Sequence, residues 1–442
     1  MRGILVSLLI FMWVPIMAFK PHIGILVWSW VSTMNPHQQT FDFARTFPFL
    51  NFAAAATILG IVLSKEKQRI PAHPIIIILV MYFLWVCVTT VLAMDPSESF
   101  GKFSQFSKSL LFAALSVAVM RSPSRLKAFV WVLALSMGYF GIKGGLYTIM
   151  TGGSGRVQGG GGMLEDNNQL AMAMAMTVPL AFYLWRYPPI EKLKMPLLGA
   201  AGLVMLSVIG TQSRGGFAAL AAVMAMMLLK TRRKIAMVAL LIPIAIGAYA
   251  FLPDSYRNRI KSSEHATEDS SFLGRVVMWK FSSNLADDRP VQGGGFNVFY
   301  VPRALELYLP PGHKGRAPHS IYFEVLGEHG YTGLYLFLTI IFTGYYAAGT
   351  AARRFRRHEE TRWIGDLCGA IQLSIIGYAV GGLTVNIGTF EYFYDLLAVI
   401  VMATAVGDKI LERGEEKVPV LASAEPEDEE LPDKDKKWSP YG

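Results

Sequence analysis

Residues 74–93 read PIIIILVMYFLWVCVTTVLA, a run of 20 residues without a single charged side chain. About 20 mostly apolar residues are what an α-helix needs to cross the hydrocarbon core of a bilayer. This stretch therefore predicts a transmembrane helix, and similar runs occur on both sides of it.

The composition of the whole chain carries the same signal. Of its 442 residues, 53% are hydrophobic and only 17% are charged, and the mean hydropathy is +0.38. A water-soluble protein has about a quarter of its residues charged. These values exclude intrinsic disorder and a collagen-like fibre, and they disfavour a soluble globular enzyme. The predicted fold class is all-α, in a polytopic integral membrane protein.

Apolar runs that qualify as spans recur along most of the chain. The first two runs are short and each lies near a proline, Pro15 or Pro21, so they form either one broken crossing or a tight hairpin. We therefore expect about twelve transmembrane helices. The runs are 3–18, 22–34, 48–63, 74–93, 104–120, 126–149, 168–185, 196–212, 215–229, 235–252, 319–349, 363–384 and 390–407.

Lysine and arginine indicate the orientation of these spans. They concentrate in clusters that separate alternate pairs of spans, and the positive-inside rule assigns all such clusters to the cytoplasmic side. The intervening connections are then periplasmic, among them 94–103, the tight turn at 213–214 and the short 385–389. The clusters are at residues 65–69, 121–127, 186–194, 230–234 and 353–362.

This topology divides the chain into four parts. Residues 1–252 form an N-terminal transmembrane bundle, 253–318 a long periplasmic loop, 319–407 the C-terminal transmembrane helices, and 408–442 an acidic cytoplasmic tail that we expect to be disordered. The loop exceeds the length of ordinary connections, which suggests a function. We expect it to be ordered, with an amphipathic helix around Leu273–Ala286 over the mouth of the bundle.

The net charge of +9 is unevenly distributed. Residues 408–442 carry eleven acidic and six basic side chains, so the remainder of the chain carries +14. In a membrane protein such an excess marks cytoplasmic loops beside anionic lipid, and nucleic acid is not an expected partner.

Cys87 and Cys368 lie inside apolar runs, which favours packing over a metal site or a disulfide. The glycine-rich segment 152–162 lacks the strand and the Lys-Ser/Thr of a nucleotide-binding loop.

Four ionisable residues fall at the predicted periplasmic ends of spans or in the long loop. They are Lys143 in FGIKGG, Arg214 in TQSRGG, Arg275 in GRVVMW and His319 in PHSIY. Each has an ordinary structural explanation when it is taken alone, such as snorkelling to headgroups or ending a helix. Their convergence on one membrane face is what favours a functional site, because polar groups in such places are costly.

The combination indicates a particular chemistry. Arginine presents a planar fork that matches phosphate oxygens and stays charged at any relevant pH, so several cations at one face suit a diphosphate. Arg214 and His319 also stand at predicted helix N-termini, which attract anions and favour a neutral imidazole. A neutral base beside a diphosphate can take a proton from an attacking hydroxyl while the cations stabilise the departing diphosphate. ATP is absent outside the cytoplasm, so the donor must arrive activated, for example as a lipid diphosphate.

At these residues the chain resembles the O-antigen ligase family of bacterial membrane glycosyltransferases. The signature of that family is His, then Asn, Ser or Gln, nine residues, Gly, two residues, and Gly, Thr or Tyr. Here it reads His319-Ser320, nine residues, Gly330, two residues and Gly333. Further segments resemble the putative O-glycosylation ligases associated with exosortase A systems: Lys143-Gly144-Gly145, Glu165-Asp166-Asn167-Asn168, Ser213-Arg214-Gly215-Gly216, Gly274-Arg275 and Gly293-Gly294-Gly295-Phe296.

The resemblance implies an inverting transfer of a glycan from undecaprenyl diphosphate to a glycan, lipid or protein acceptor. It implies no metal or other cofactor, and it places the enzyme in the bacterial inner membrane with its active site facing the periplasm. His319 would be the catalytic base, and Arg214 and Arg275 would bind the diphosphate. The ligases often have leucine four residues after the arginine, whereas this chain has Ala218.

Other polar residues near the signature rank lower as candidates. Lys143 belongs only to the exosortase-associated pattern, and its role in binding the diphosphate is our own inference. Asn168 could hydrogen-bond to donor sugar or phosphate, or cap its helix. Glu324 and His329 lie farther along the helix that follows His319, where packing explains them equally well.

Two other functions are compatible with the sequence. A glycan polymerase of the same family would use a second lipid-linked glycan as its acceptor. A transporter or flippase of lipid-linked saccharide would carry charged residues along a midplane path, whereas those of this chain cluster at the span ends.

Overall fold

The computed structural model describes residues 2–40, 42–161, 164–231 and 270–416. The predicted span 235–252, the first part of the predicted loop (253–269) and the acidic tail from residue 417 onward lie outside these ranges. All regular secondary structure in the described ranges is helical. The α-helices are α1 Arg2–Phe11, α2 Val14–Phe19, α3 Pro21–Met34, α4 Phe49–Leu63, α5 Pro74–Val91, α6 Pro96–Val119, α7 Pro123–Met150, α8 Asn167–Arg186, α9 Lys194–Gly210, α10 Arg214–Lys230, α11 Ser270–Asp288, α12 Pro302–Tyr308, α13 Ile321–Phe355, α14 Arg362–Gly381 and α15 Glu391–Glu416.

Several of these helices are suited to a bilayer. Within the described residues, six helical segments are long and apolar enough to cross a membrane. The all-α class is confirmed and the protein is a multi-pass membrane protein, whereas the count of about twelve crossings stays a prediction. The six segments are Arg2–Phe19, Pro74–Val91, Pro123–Met150, Glu191–Gly210, Ile321–Phe355 and Arg362–Gly381.

Local sequence sets where several helices begin. Asp95 accepts hydrogen bonds from the backbone of Ser97 and Glu98 (3.0 and 3.2 Å), and Pro96 supplies the first position of α6. Asp166 caps α8 in the same way, and Ser213 caps α10 by accepting from Gly216 N at 3.1 Å. Such caps satisfy amide groups that have no partner inside the helix. They fix the starts of the two helices, α8 and α10, that carry Asn168 and Arg214.

The predicted connection 94–103 is wrong, because α6 begins at Pro96. Hydropathy gave no sign of its first two turns, since they contain several polar residues, of which Ser99 is buried and Lys102 is half-buried. Lys102 in this stretch forms ion pairs with Glu324 and Glu328 of α13 at 2.7 and 2.8 Å. A helix that buries paired charges in this way does not appear as an apolar run.

Two other helices run past their predicted ends. The predicted spans 319–349 and 390–407 correspond to α13 and α15, which continue to Phe355 and Glu416. The predicted start of the disordered tail at 408 therefore lies inside α15. An ion pair of 2.7 Å between Arg354 and Asp408 joins the two extensions and helps to explain why polar residues prolong both helices.

The amphipathic helix predicted at Leu273–Ala286 is present as α11. Its residues Met278, Phe281 and Leu285 are buried against Phe299 and Ala304 in a small core of their own. This separate core orders the part of the long loop that the structure describes. The ordered segment is then available to position side chains against the start of α13.

Helix α13 is broken at Gly330, which has φ +69° and ψ −172°. The break frees the carbonyl groups of Gly327 and Glu328, which accept hydrogen bonds from Gly294 N (2.9 Å) and Gly295 N (2.8 Å). A Cβ atom on Gly330 would lie 2.6 Å from the carbonyl oxygen of Pro290, so only glycine fits. The glycine of the family signature is thus the point where the Gly293–Gly295 turn docks against α13.

Candidate functional site

His319 occupies a constrained turn immediately before α13. Its φ of +49° is uncommon for a residue with a side chain. The turn is held from two directions: Trp279 Nε1 of α11 donates to Pro318 O at 2.9 Å, and Ile321 N donates to Gly382 O at 2.8 Å. Such backbone outliers cluster at functional sites because the surrounding structure has to impose them.

Charged groups from several elements surround the His319 imidazole. Burial lowers the pKa of His319 below its ordinary value of 6.5, and the guanidinium groups of Arg275 and Arg316 lower it further. The carboxylates of Asp166 and Glu324 oppose this shift. The net effect favours the neutral imidazole, the form that can accept a proton.

The direction of this shift gives a prediction about pH. Because the lowered pKa keeps His319 neutral down to a lower pH than a free histidine, we expect the acidic limb of the transfer rate to lie below pH 6.5. Arg316→Gln removes a cation that lowers the pKa of His319, so the limb should move to higher pH. The measurement is kcat/KM against pH, with Arg303→Gln on α12 as a control of equal charge change. An acidic limb that stays in place in Arg316→Gln would refute the electrostatic argument.

Asn168 and Arg214 belong to one hydrogen-bonded unit. Ser213 Oγ donates to Asn168 Oδ1 at 2.7 Å, and Asn167 Nδ2 donates to Thr211 O at 2.9 Å. These bonds tie the α9–α10 turn, and with it the exposed Arg214, to the start of α8. The Asn168 side chain therefore supports the turn, while the capping carboxylate of α8 is that of Asp166.

Asp166 links this unit to His319. It caps the helix that carries Asn168, and its carboxylate also lies within electrostatic range of the imidazole. The loop after α14 makes a second link. Its Thr384 packs so closely against Gly215 of α10 that a Cβ on Gly215 would collide with it. Two residues earlier in the same loop, the Gly382 carbonyl accepts the hydrogen bond from Ile321 N at the start of α13. The structure thus brings His319, Arg275, Asn168 and Arg214 to one end of the bundle.

Sequence reasoning missed Arg316 and Asp166. The Arg316 guanidinium lies against the backbone of Gly274, in the space that any larger side chain would fill. The glycine at position 274, directly before Arg275, is a sequence sign that another group approaches the backbone there. It does not show that this group is the side chain of Arg316. Asp166 had a sequence signal as a helix cap, and only the tertiary structure shows that it also faces the imidazole.

Lys143 is placed apart from the other candidates. It is exposed on α7 and lines a cavity of about 450 Å³ together with Arg156 and Gly160. His319, Arg214 and Arg275 are not among the residues that line this cavity. The grouping of Lys143 with the three others is therefore not reproduced by any contact among the described residues.

Glu324 anchors the start of α13 through a buried ionic network. Lys102 Nζ donates to Glu324 Oε1 and Glu328 Oε1, and the second Glu324 oxygen accepts from Gly388 N at 2.8 Å. Asn297 N adds a bond of 3.0 Å to Glu328. Since both carboxylates are almost fully buried, pairing with Lys102 is what makes their charges tolerable.

His329 completes the same region from the other side. Its side chain is fully buried, its Nδ1 lies 2.7 Å from Thr89 Oγ1, and the Phe296 ring packs edge-on at 4.5 Å. Its carbonyl, next to the break at Gly330, accepts from Trp85 Nε1 at 3.2 Å. Glu324 and His329 are thus both held in place by buried hydrogen bonds, and their lower rank as catalytic candidates stays a prediction.

Comparison with known families adds an independent finding. Residues 198–338 match the O-antigen ligase family. The similarity to O-antigen ligases is carried by this segment of the chain. The matched segment contains Arg214, Arg275 and His319 together with the break at Gly330. Residues 1–188 match a family of unknown function (DUF5935). A comparison with curated proteins gives no match.

The match over residues 198–338 supports a glycosyltransferase-like or ligase-like activity in a membrane, with a lipid-linked glycan donor and an acceptor. The resemblance to the family drawn from the His319 signature is thereby confirmed. The association with exosortase systems stays a prediction.

Proposed function

We propose that the protein transfers a glycan from undecaprenyl diphosphate to an acceptor hydroxyl at the periplasmic face of the bacterial inner membrane. The observation that carries the proposal is the His319 imidazole, held in a constrained turn before α13 and within electrostatic range of the Arg275 and Arg316 guanidinium groups. A base and fixed cations at one place are what a transfer from a diphosphate donor requires.

In the proposed reaction the acceptor hydroxyl attacks the anomeric carbon of the donor glycan. The His319 imidazole takes the hydroxyl proton as the new C–O bond forms. The bond between the anomeric carbon and the diphosphate oxygen breaks, and its electron pair leaves with the diphosphate. Attack from the face opposite the leaving group inverts the anomeric centre.

The cations have the second role. Arg275 and Arg214 would bind the diphosphate and stabilise the charge that accumulates as it departs, through charge-assisted hydrogen bonds. These arginines supply positive charge without a metal ion or other cofactor. Asn168 would position Arg214 through the Ser213 contact, and Lys143 would bind phosphate only at the rim, in its own cavity with Arg156.

The family relationship leaves ligase and polymerase as variants of this chemistry, which differ in their acceptor. The test is reconstitution of the purified protein in liposomes with a radiolabelled glycan on undecaprenyl diphosphate and no ion gradient. Covalent transfer to a protein, lipid or polysaccharide acceptor supports a ligase, and transfer to a second lipid-linked glycan supports a polymerase. Movement of the intact donor between leaflets without a covalent product would contradict the proposal and indicate a flippase instead.

Arg214→Lys tests the role of the arginine fork. An ammonium keeps the charge but cannot form two parallel bonds to phosphate oxygens. Loss of one charge-assisted hydrogen bond corresponds to about a tenfold to hundredfold loss of kcat/KM. The measurement is donor titration of the transfer rate, with Arg303→Lys on the exposed side of α12 as the matched control. Donor affinity equal to that of the wild type in Arg214→Lys would contradict a bidentate role.

A further inference from the structure

A second cavity, of about 490 Å³, lies between α3, α4, α6, α7 and the start of α15. Its volume falls within the range of about 300–1,000 Å³ that is typical of small-molecule sites. Aromatic and polar side chains line it together, among them Trp28, Tyr392, Asn51 and Gln105. We call this space the α3–α15 cavity.

Two polar atoms in the wall of the α3–α15 cavity are unsatisfied. Thr33 Oγ1 and His37 Nδ1 have no hydrogen-bond partner among the described residues. Both side chains are deeply buried, at 5% and 7% exposure, and both line the cavity. Buried polar atoms almost always have a partner, so the two unpaired ones in this wall are available for hydrogen bonds to a ligand.

The charges of the cavity indicate which ligand it suits. Among the described residues that line the cavity, Lys108 is the one lysine or arginine and Glu391 the one carboxylate, so their formal charges balance, in contrast to the guanidinium groups near His319. Amide, hydroxyl and carboxylate groups interleaved with aromatic rings match a ligand that has many hydroxyl groups and apolar ring faces. That description fits a neutral sugar residue, and it does not fit a diphosphate.

The cavity adjoins the reaction centre along three chain segments. Leu164 in its wall is two residues from Asp166, which places their Cα atoms within about 7 Å. Phe390 is two residues from Gly388, which binds Glu324 near the start of α13. Gln105 lies one helical turn beyond Lys102, which binds the same carboxylate. A glycan that reacts at His319 can therefore extend into this space.

We propose that the α3–α15 cavity is a subsite for a neutral sugar residue next to the one that reacts. The subsite rests on the proposed function for its role in transfer, but not for binding itself. The sugar could come from the donor glycan or from a saccharide acceptor, and the two sources share the same hydroxyl-rich chemistry.

Binding is tested on the full chain in nanodiscs by saturation-transfer NMR with a panel of neutral oligosaccharides, including cellobiose and chitobiose. Wild type and His319→Ala are expected to bind a panel member equally well. Thr33→Val/His37→Phe keeps the volume of both side chains and should weaken binding at least tenfold, without lowering the unfolding temperature, because it removes two unsatisfied polar atoms. Thr339→Val, on an exposed face of α13, is the matched control.

The transfer assay separates the two sources of the sugar. A higher KM for the lipid-linked donor in Thr33→Val/His37→Phe assigns the subsite to the donor glycan, and a higher KM for the acceptor assigns it to the acceptor. Asn51→Leu, at the exposed rim, repeats the test if the buried double variant does not fold. Failure of every panel member to bind the wild type, or unchanged binding by the variants, overturns the subsite. If sugar binds but no transfer is found, only the proposed function fails.

Discussion

Replacement of His319 by alanine is expected to abolish measurable glycan transfer, a loss of about 10²–10⁴-fold, while the protein still folds and inserts. The imidazole is the group that accepts the hydroxyl proton in the proposed reaction, and alanine offers no substitute. The measurement is the rate of product formation by purified protein in liposomes. Donor binding is measured in parallel and should change little, because the arginines remain.

Two controls make this result specific. His319→Asn should lose activity to the same extent, although asparagine tolerates a φ of +49° better than alanine does, so backbone strain alone cannot explain the loss. His313→Ala changes an exposed histidine of the same segment and should transfer glycan like the wild type. Normal turnover by either His319 variant would remove the base assignment.

Replacement of Lys102 by methionine is expected to destabilise the protein by about 3–5 kcal/mol, since it leaves Glu324 and Glu328 buried without a counter-charge. Methionine preserves most of the side-chain volume, so the effect reports lost charge pairing. The start of α13 should loosen with it, and transfer should fall because His319 directly precedes that helix. The measurement is the unfolding midpoint in detergent for wild type and variant.

Lys108→Met on the same helix is the matched control, because Lys108 is exposed and has no ion pair of this kind in the structure as described. It should change the unfolding midpoint little. The triple variant Lys102→Met/Glu324→Gln/Glu328→Gln removes the uncompensated charges and should regain most of the lost stability. Equal destabilisation by Lys102→Met and Lys108→Met would show that the network is not what holds α13.

The parts of the fold that follow from local sequence were predictable. The uncharged run at 74–93 forms α5, because transfer of about 20 apolar residues into lipid is favourable whatever the rest of the chain does. The amphipathic pattern at 273–286 forms α11 for a similar reason, since one apolar face needs burial. The family signature at His319 also consists of residues that are close together in the sequence, so it could be recognised without a structure.

Features that depend on distant partners were not predictable. Lys102 and Glu324 are 222 positions apart, and the residues next to Lys102 in the sequence do not indicate that its charge is paired. The family signature includes Gly330, but the sequence does not show why a glycine is needed there. The structure gives the reason: the Gly293–Gly295 turn docks against α13 where Gly330 breaks the helix. The grouping of Lys143 with His319 stays a prediction, because Lys143 lines a cavity whose lining does not include His319.

The sequence by itself determined that the chain is an all-helical membrane protein with a histidine before its long C-terminal helix, because hydropathy, capping and short motifs act between neighbours. The tertiary structure alone decided which charges surround that histidine. Arg275, Arg316 and Asp166 come from three separate segments, and their effect on the imidazole depends on distances that only packing sets. Electrostatic and hydrogen-bonding partners are set by proximity in three dimensions, which cannot be deduced from the order of residues along the chain when the partners are distant in sequence.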